Sequence, residues 1–290
     1  MLASVVRLLG IGLLLGPWAG AQELPFEHTI EKIASGYQYV GGMAWSHDGR
    51  LYFSNTPRGE VHVWTPGQPV KLLPVKLASP AGLACDERGR LLVCEAGARR
   101  IVRLKADNAL EALTSVFEGK RLNSPRDVIV RKDGTVYFTD PAFGPAADTM
   151  ETPFHGLYRL SGKGEAVAVA RWNTRPGGIT CSPDGKTLYV AMSDERTVRA
   201  LDLDRQGNAS NERTLIRGLD GVPNAVRVDE QGRLFVAART LTVYSPEGQR
   251  LGQIEMSERP VSLAFGEAGG RVLFIGTHTS IYRVDFAPRR

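Results

Sequence analysis

Cysteine is nearly missing from this chain: Cys85, Cys94 and Cys181 are the only three among 290 residues. Three thiols cannot all pair within one chain, and none stands in Cys-x-x-Cys spacing, so neither a disulfide scaffold nor a zinc ribbon is encoded. Cys85 and Cys181 occupy the same place in two copies of a repeat, inside apolar stretches, and read as small buried hydrophobes. Lys/Arg blocks are also lacking. The formal net charge of +5 is spread along the chain, without the basic, aromatic-rich stripe that nucleic-acid binding would require. No Gly-x-Ser-x-Gly elbow marks a nucleophile, and no amphipathic helical period interrupts the sequence. The longest apolar run, residues 8–16, is about half the roughly 20 residues needed to span a bilayer.

That run has its own meaning. Arg7 precedes it and Ala19-Gly20-Ala21 follows it ahead of Gln22, which is the layout of a secretory signal peptide. Residues 1–21 are therefore expected to be removed, leaving residues 22–290 as one secreted or periplasmic domain with no membrane span. Loss of Arg7 takes the formal charge from +5 to +4. Asn208-Ala209-Ser210 matches a glycosylation acceptor, which matters only in a glycosylating source.

What the chain does contain is a repeat of about 35 to 50 residues. Each unit opens with a short strand, passes a polar turn ending in Gly, and enters a second apolar strand. The openings are Gly41-Gly42-Met43, Pro80-Ala81-Gly82, Pro125-Arg126-Asp127, Pro176-Gly177-Gly178, Pro223-Asn224-Ala225 and Pro260-Val261-Ser262. Turns such as His47-Asp48-Gly49, Lys132-Asp133-Gly134 and Pro183-Asp184-Gly185 accept the positive φ that tight hairpins need. Second strands include Leu51-Tyr52-Phe53, Val136-Tyr137-Phe138 and Leu188-Tyr189-Val190. Six all-β units, each too small to bury its own face, predict an all-β, six-bladed β-propeller. Too little chain follows Phe286 for another strand, so residues 27–34 are expected to supply the outer strand of the last blade. The insertion near residues 145–153 is a candidate rim loop or lid.

The ordered set Arg121-Leu122-Asn123-Ser124-Pro125, then Phe138-Thr139-Asp140-Pro141, then Ser182-Pro183-Asp184-Gly185 resembles the gluconolactonase, senescence-marker-protein and regucalcin family of six-bladed propellers. The resemblance covers nearly the whole of residues 22–290. It implies a lactone or ester hydrolase holding one divalent cation, usually calcium or zinc, in the central funnel. The cation would polarise the carbonyl while a carboxylate guides water. The implied ligands are a Glu in Glu-Gly-Pro, an Asn in Asn-Asp, an Asn in Pro-Asn-Gly and an Asp in Pro-Asp-Gly.

Counting back eight residues from each turn glycine places one equivalent residue per blade on a ring: Gly41, Ala81, Arg126, Gly177, Asn224 and Val261. The implied ligands fall on Gly41, Arg126, Gly177 and Asn224, and all four differ. Two unit charges of like sign 4 Å apart repel by about 4 kcal/mol at an effective dielectric of 20, and a divalent ion roughly doubles that. One amide cannot offset a guanidinium, so neither calcium nor zinc is expected, and no metal ligand is assigned.

Polar groups remain in blades one to three. Arg126, Asp127 and Asp140 are the catalytic candidates; Arg126, Asn224, Glu95 and Asn55 are the ligand-binding candidates. An Arg flanked by carboxylates can bind a carboxylate or sugar hydroxyls or polarise a carbonyl, and the same cluster can equally be a strut between blades. His155 and His278 are possible bases, and Ser124 and Ser262 lie near the funnel. Three functions stay open: a metal-dependent lactonase, as the resemblance implies; a hydrolase with a metal-independent or relocated site; and a non-catalytic propeller binding either a small polar, sugar- or lactone-type molecule or a protein partner.

Overall fold

A computed structural model describes residues 24–162, 164–267 and 270–288; the expected signal peptide, residues 1–21, lies outside them. Six four-stranded antiparallel sheets account for nearly all of the secondary structure. Blade one runs from its inner strand Met43–Ser46 to Lys71–Leu72, and blade two from Pro80–Cys85 to Leu110–Thr114. Blade three runs from Asp127–Val130 to Ala166–Trp172, and blade four from Pro176–Cys181 to Ala209–Ile216. Blade five runs from Ala225–Val228 to Arg250–Ile254.

Blade six closes the ring. Its strands Ser262–Gly266, Val272–Gly276 and Ser280–Pro288 are completed by Phe26–Ser35 from the other end of the chain. Phe26 lies opposite Pro288 and Ser35 opposite Ser280, as expected of residues 27–34. The join is reinforced by Glu258, which accepts hydrogen bonds from Lys32 Nζ (3.0 Å), Tyr282 Oη (2.8 Å) and the hydroxyls of Thr277, Thr279 and Ser280.

The turn glycines behave as their sequence requires. Gly49 and Gly134 have φ of 83° and 84°, and each donates its N–H to the carbonyl three residues back. The core is not inside blades but between them. One buried cluster joins Tyr137, Leu157 and Trp172 of blade three to Ile179, Leu188 and Val190 of blade four. Another joins Phe274 and Ile281 of blade six to Met43 and Phe53 of blade one. Each sheet therefore depends on its neighbours for burial, which is why the repeat closes into a ring.

Among the described residues the only helices are two short 3-10 turns, Thr56–Arg58 and Gly144–Thr149, and none is long and apolar enough to cross a membrane. The second turn forms the expected rim loop. Arg99 Nη1 donates to the Thr149 carbonyl at 3.2 Å, and the Arg175 guanidinium lies 4.8 Å from the Phe143 ring centre, so the loop is held from both sides. Cys94 is buried and Cys85 and Cys181 are partly buried, all three free. Burial pushes the Cys85 thiol up to about 12 and the Cys181 thiol to about 11, which keeps them protonated and unreactive.

Candidate functional site: the channel mouth

The inner strands start at one end of the propeller, and the straps leading into them form the mouth of the central channel. Glycine lets these strands crowd the axis. A Cβ at Gly42 would sit 2.1 Å from the Ala81 carbonyl oxygen, and one at Gly82 would sit 2.5 Å from the Asp127 Cα. Cross-blade hydrogen bonds fix the approach: Ser54 Oγ donates to the Ala81 carbonyl at 3.0 Å and Thr139 Oγ1 to that of Gly177 at 2.7 Å.

Two consecutive residues of blade three then reach in opposite directions across the channel. Arg126 passes in front of blade two to blade one, where Nη1 donates to the Gly41 carbonyl (3.1 Å) and Nη2 to Tyr39 Oη (3.0 Å). Its guanidinium also lies 5.9 Å from the Tyr39 ring centre. Asp127 turns towards blades four and five. Its carboxylate accepts Arg227 Nη1 at 2.9 Å, Arg227 Nη2 at 3.2 Å and the Ile179 N–H at 3.0 Å, with Val128 N–H as a fourth donor. Blades one and five are each next-but-one neighbours of blade three, so both side chains can make these contacts only across the central channel.

The expected carboxylate frame around Arg126 is not what forms. Asp127 is filled by four donors and is paired with Arg227, both side chains largely buried at 8% and 13% exposure; it has no free lone pair for a general base. Glu95 accepts the Ala78 N–H at 2.8 Å and pairs with Arg100 at 2.5 Å. Asn55 accepts the Gln38 N–H at 3.2 Å and donates to Glu60 at 3.0 Å. Asp140 accepts the N–H groups of Asn123 (2.7 Å) and Ser124 (2.8 Å). Burial pushes its carboxyl up to about 7, although these two backbone donors pull the other way. Asn55, Glu95 and Asp140 are thus latches that hold the strap entering their own blade, and none of them touches Arg126.

Arg126 is half-buried and has no carboxylate partner among the described residues. Asn224, also half-buried, is held through its backbone N–H to the Ala237 carbonyl (2.8 Å), and its side-chain amide has no partner among the described residues. His278 is exposed and packs edge-on to Tyr39 with ring centres 5.1 Å apart. His155 lies away from this group: its Nδ1 accepts the Ala142 N–H at 3.2 Å, and burial lowers its pKa. Ser262 Oγ is spent on the Val40 carbonyl at 2.7 Å. Sequence reasoning missed Tyr39 and Arg227. Arg227 had a visible signal, being the one charged residue at a level where the other blades carry Ala44, Ala84, Ile129, Thr180 and Ala264; Tyr39 had none.

The sequence matches the SMP-30/gluconolactonase/LRE-like region over residues 24–279. The chain belongs to this family. The gluconolactonase of Zymomonas mobilis is 33% identical over 288 residues, covering 88% of this chain and 80% of that protein. Regucalcin of Xenopus laevis is 25% identical over 247 residues, covering 82% of each chain. The solved structure of XC5397 from Xanthomonas campestris, described as a gluconolactonase, has a TM-score of 0.85 at 30% identity, covering 92% of this chain and 91% of that one.

The divalent cation that the gluconolactonase-like fold implies does not suit the residues present. Gly41 and Gly177 bring no side-chain oxygen, and Arg126 places a cation among the implied ligand positions. A ligating side chain would also be crowded at Gly41, where a Cβ would lie 2.2 Å from Thr56 Oγ1, a hydroxyl already committed to the Pro80 carbonyl at 2.7 Å. At Gly177 a Cβ would lie 3.0 Å from Ser193 Oγ.

Proposed function

We propose that this gluconolactonase-like propeller binds a small polar molecule of the sugar or lactone class at its channel mouth, without a divalent cation, and acts outside the cytoplasm once residues 1–21 are removed. The observation that carries this reading is Arg126. A half-buried guanidinium bonded, among the described residues, only to a carbonyl and a phenol keeps N–H donors for an incoming oxygen. Asn224, at the start of blade five, adds an amide with no partner among the described residues. Binding is favoured over hydrolysis because each carboxylate once assigned to the chemistry is already occupied, Asp127 by Arg227 and Asp140 by two backbone amides.

Calorimetric titration of an equilibrated gluconate and gluconolactone solution into EDTA-treated protein tests the reading. One saturable site is expected, weakened at least tenfold by Arg126→Met and less by Asn224→Ala. Binding that vanishes in EDTA and returns with calcium would overturn it. Chelator-resistant turnover of the lactone would instead establish the hydrolase.

A further inference from the structure

The mouth is rich in donors, and several acids around it are committed to other partners. Around it, Asp194 is held by Arg175 through the Nε (2.9 Å) and the backbone N–H (2.8 Å). Glu258 is saturated by its hydroxyl partners and Lys32. The arginines are not all matched in return. Among the described residues, Arg259, on the strap of blade six, bonds only the carbonyls of Ala238 (3.0 Å) and Val222 (3.2 Å), and Arg126 bonds only the Gly41 carbonyl and Tyr39. Tyr39 Oη accepts from Arg126, so its own proton points elsewhere and becomes a further donor. The amide of Asn224 supplies both a donor and an acceptor.

A neutral lactone offers such a site only one carbonyl dipole. An open-chain hydroxy acid offers a full negative charge with two oxygens, matching a guanidinium fork, and hydroxyls for the phenol and amide. We infer that the channel mouth is selective for aldonate-type sugar acids, the carboxylate form, over their neutral counterparts, with Arg126 setting the charge preference and Tyr39 positioning its guanidinium. This rests on the channel-mouth reading above. It inverts the charge logic of a cation-holding ring: the ligand brings the carboxylate that the protein no longer supplies.

Gluconate and its uncharged isostere gluconamide, with xylonate and xylonamide as a shorter pair, separate the two claims, because the amides do not hydrolyse or ionise. Dissociation constants are measured in EDTA for the wild-type chain, Arg126→Met, Arg126→Lys and Tyr39→Phe. Each acid is expected to bind at least tenfold more tightly than its amide. Arg126→Met should abolish that preference by weakening the acid far more than the amide. Arg126→Lys should retain part of the preference, since it keeps the charge and loses the fork. Tyr39→Phe should lower acid affinity several-fold and amide affinity less, since both lose the phenol contact but only the acid depends on the positioned guanidinium. Amides binding as tightly as acids would overturn the selectivity while leaving the binding site standing. Failure of both acids and both amides to bind the folded wild-type protein would remove the site itself. A retained preference in Arg126→Met would place the charge recognition elsewhere and also refute the assignment.

Discussion

Arg126 and Arg227 stand in the same channel, yet one is unmatched and the other saturated. Arg227 lies across blade four to reach Asp127, and the pair excludes most solvent. Arg126, one residue before Asp127, reaches blade one and finds, among the described residues, only a carbonyl and a phenol. A charge deep in the channel needs a protein counter-charge because burial without one is severely costly. A half-exposed charge at the mouth can keep its donors for solvent or a ligand. The contrast separates a charge that holds this propeller together from one that stays open to solvent.

The largest effect should come from breaking the deep pair. Arg227→Met leaves the Asp127 carboxylate buried without its main partner and should cost about 3–5 kcal/mol in urea unfolding. Replacing both residues, Asp127→Asn with Arg227→Met, should recover much of that loss. If Arg227→Met costs less than about 1 kcal/mol, the typical exposed ion-pair value, the distinction between the two arginines fails.

A loss of similar size tests whether blades support one another. Phe274→Ala removes a fully buried ring stacked 5.1 Å from Trp45 across the junction of blades six and one. It should cost about 3–5 kcal/mol, read from the same unfolding curves. A smaller change is expected at the mouth: Arg126→Met should alter stability by no more than about 1 kcal/mol, the scale of a half-exposed cation–π contact.

The subtlest prediction concerns Asp140. Its folded pKa of about 7 stands above the ordinary carboxylate value of 3.8, so the folded state holds a proton that the unfolded chain has released between those values. The stabilisation is complete below the unfolded pKa and is lost as pH rises through about 7. Unfolding free energies of the wild-type and Asp140→Asn chains, measured from pH 4 to 8, should converge in slope outside this window. Within it, only the wild type should lose the Asp140 component. An identical pH profile for the two would mean that the Asn123 and Ser124 amides hold the carboxylate ionised.

Much of this organisation was legible before any fold was known. The six openings, the positive-φ turn glycines and the spare N-terminal strand are local or periodic signals, and the propeller follows from them. The ring register was equally readable, which is how Arg126 was singled out. Side-chain direction at the strand ends was not. Thr139 points its hydroxyl at the next blade, so alternation along the strand turns Asp140 back towards its own strap. Ser54 and Asn55 repeat that pattern in blade one. The partners Arg227 and Tyr39 depend on ring closure bringing next-but-one blades together, at separations of 100 and 87 residues, and no sequence period encodes such a contact.

One experiment tests the division between mouth and depth directly: thermal unfolding of the wild-type, Arg126→Met and Arg227→Met chains in EDTA, with and without saturating gluconate. The account predicts that Arg227→Met melts well below the wild type yet keeps the upward shift on adding gluconate. Arg126→Met should melt close to the wild type and lose that shift. An Arg126→Met chain that collapses, or one that still responds fully to gluconate, would contradict it.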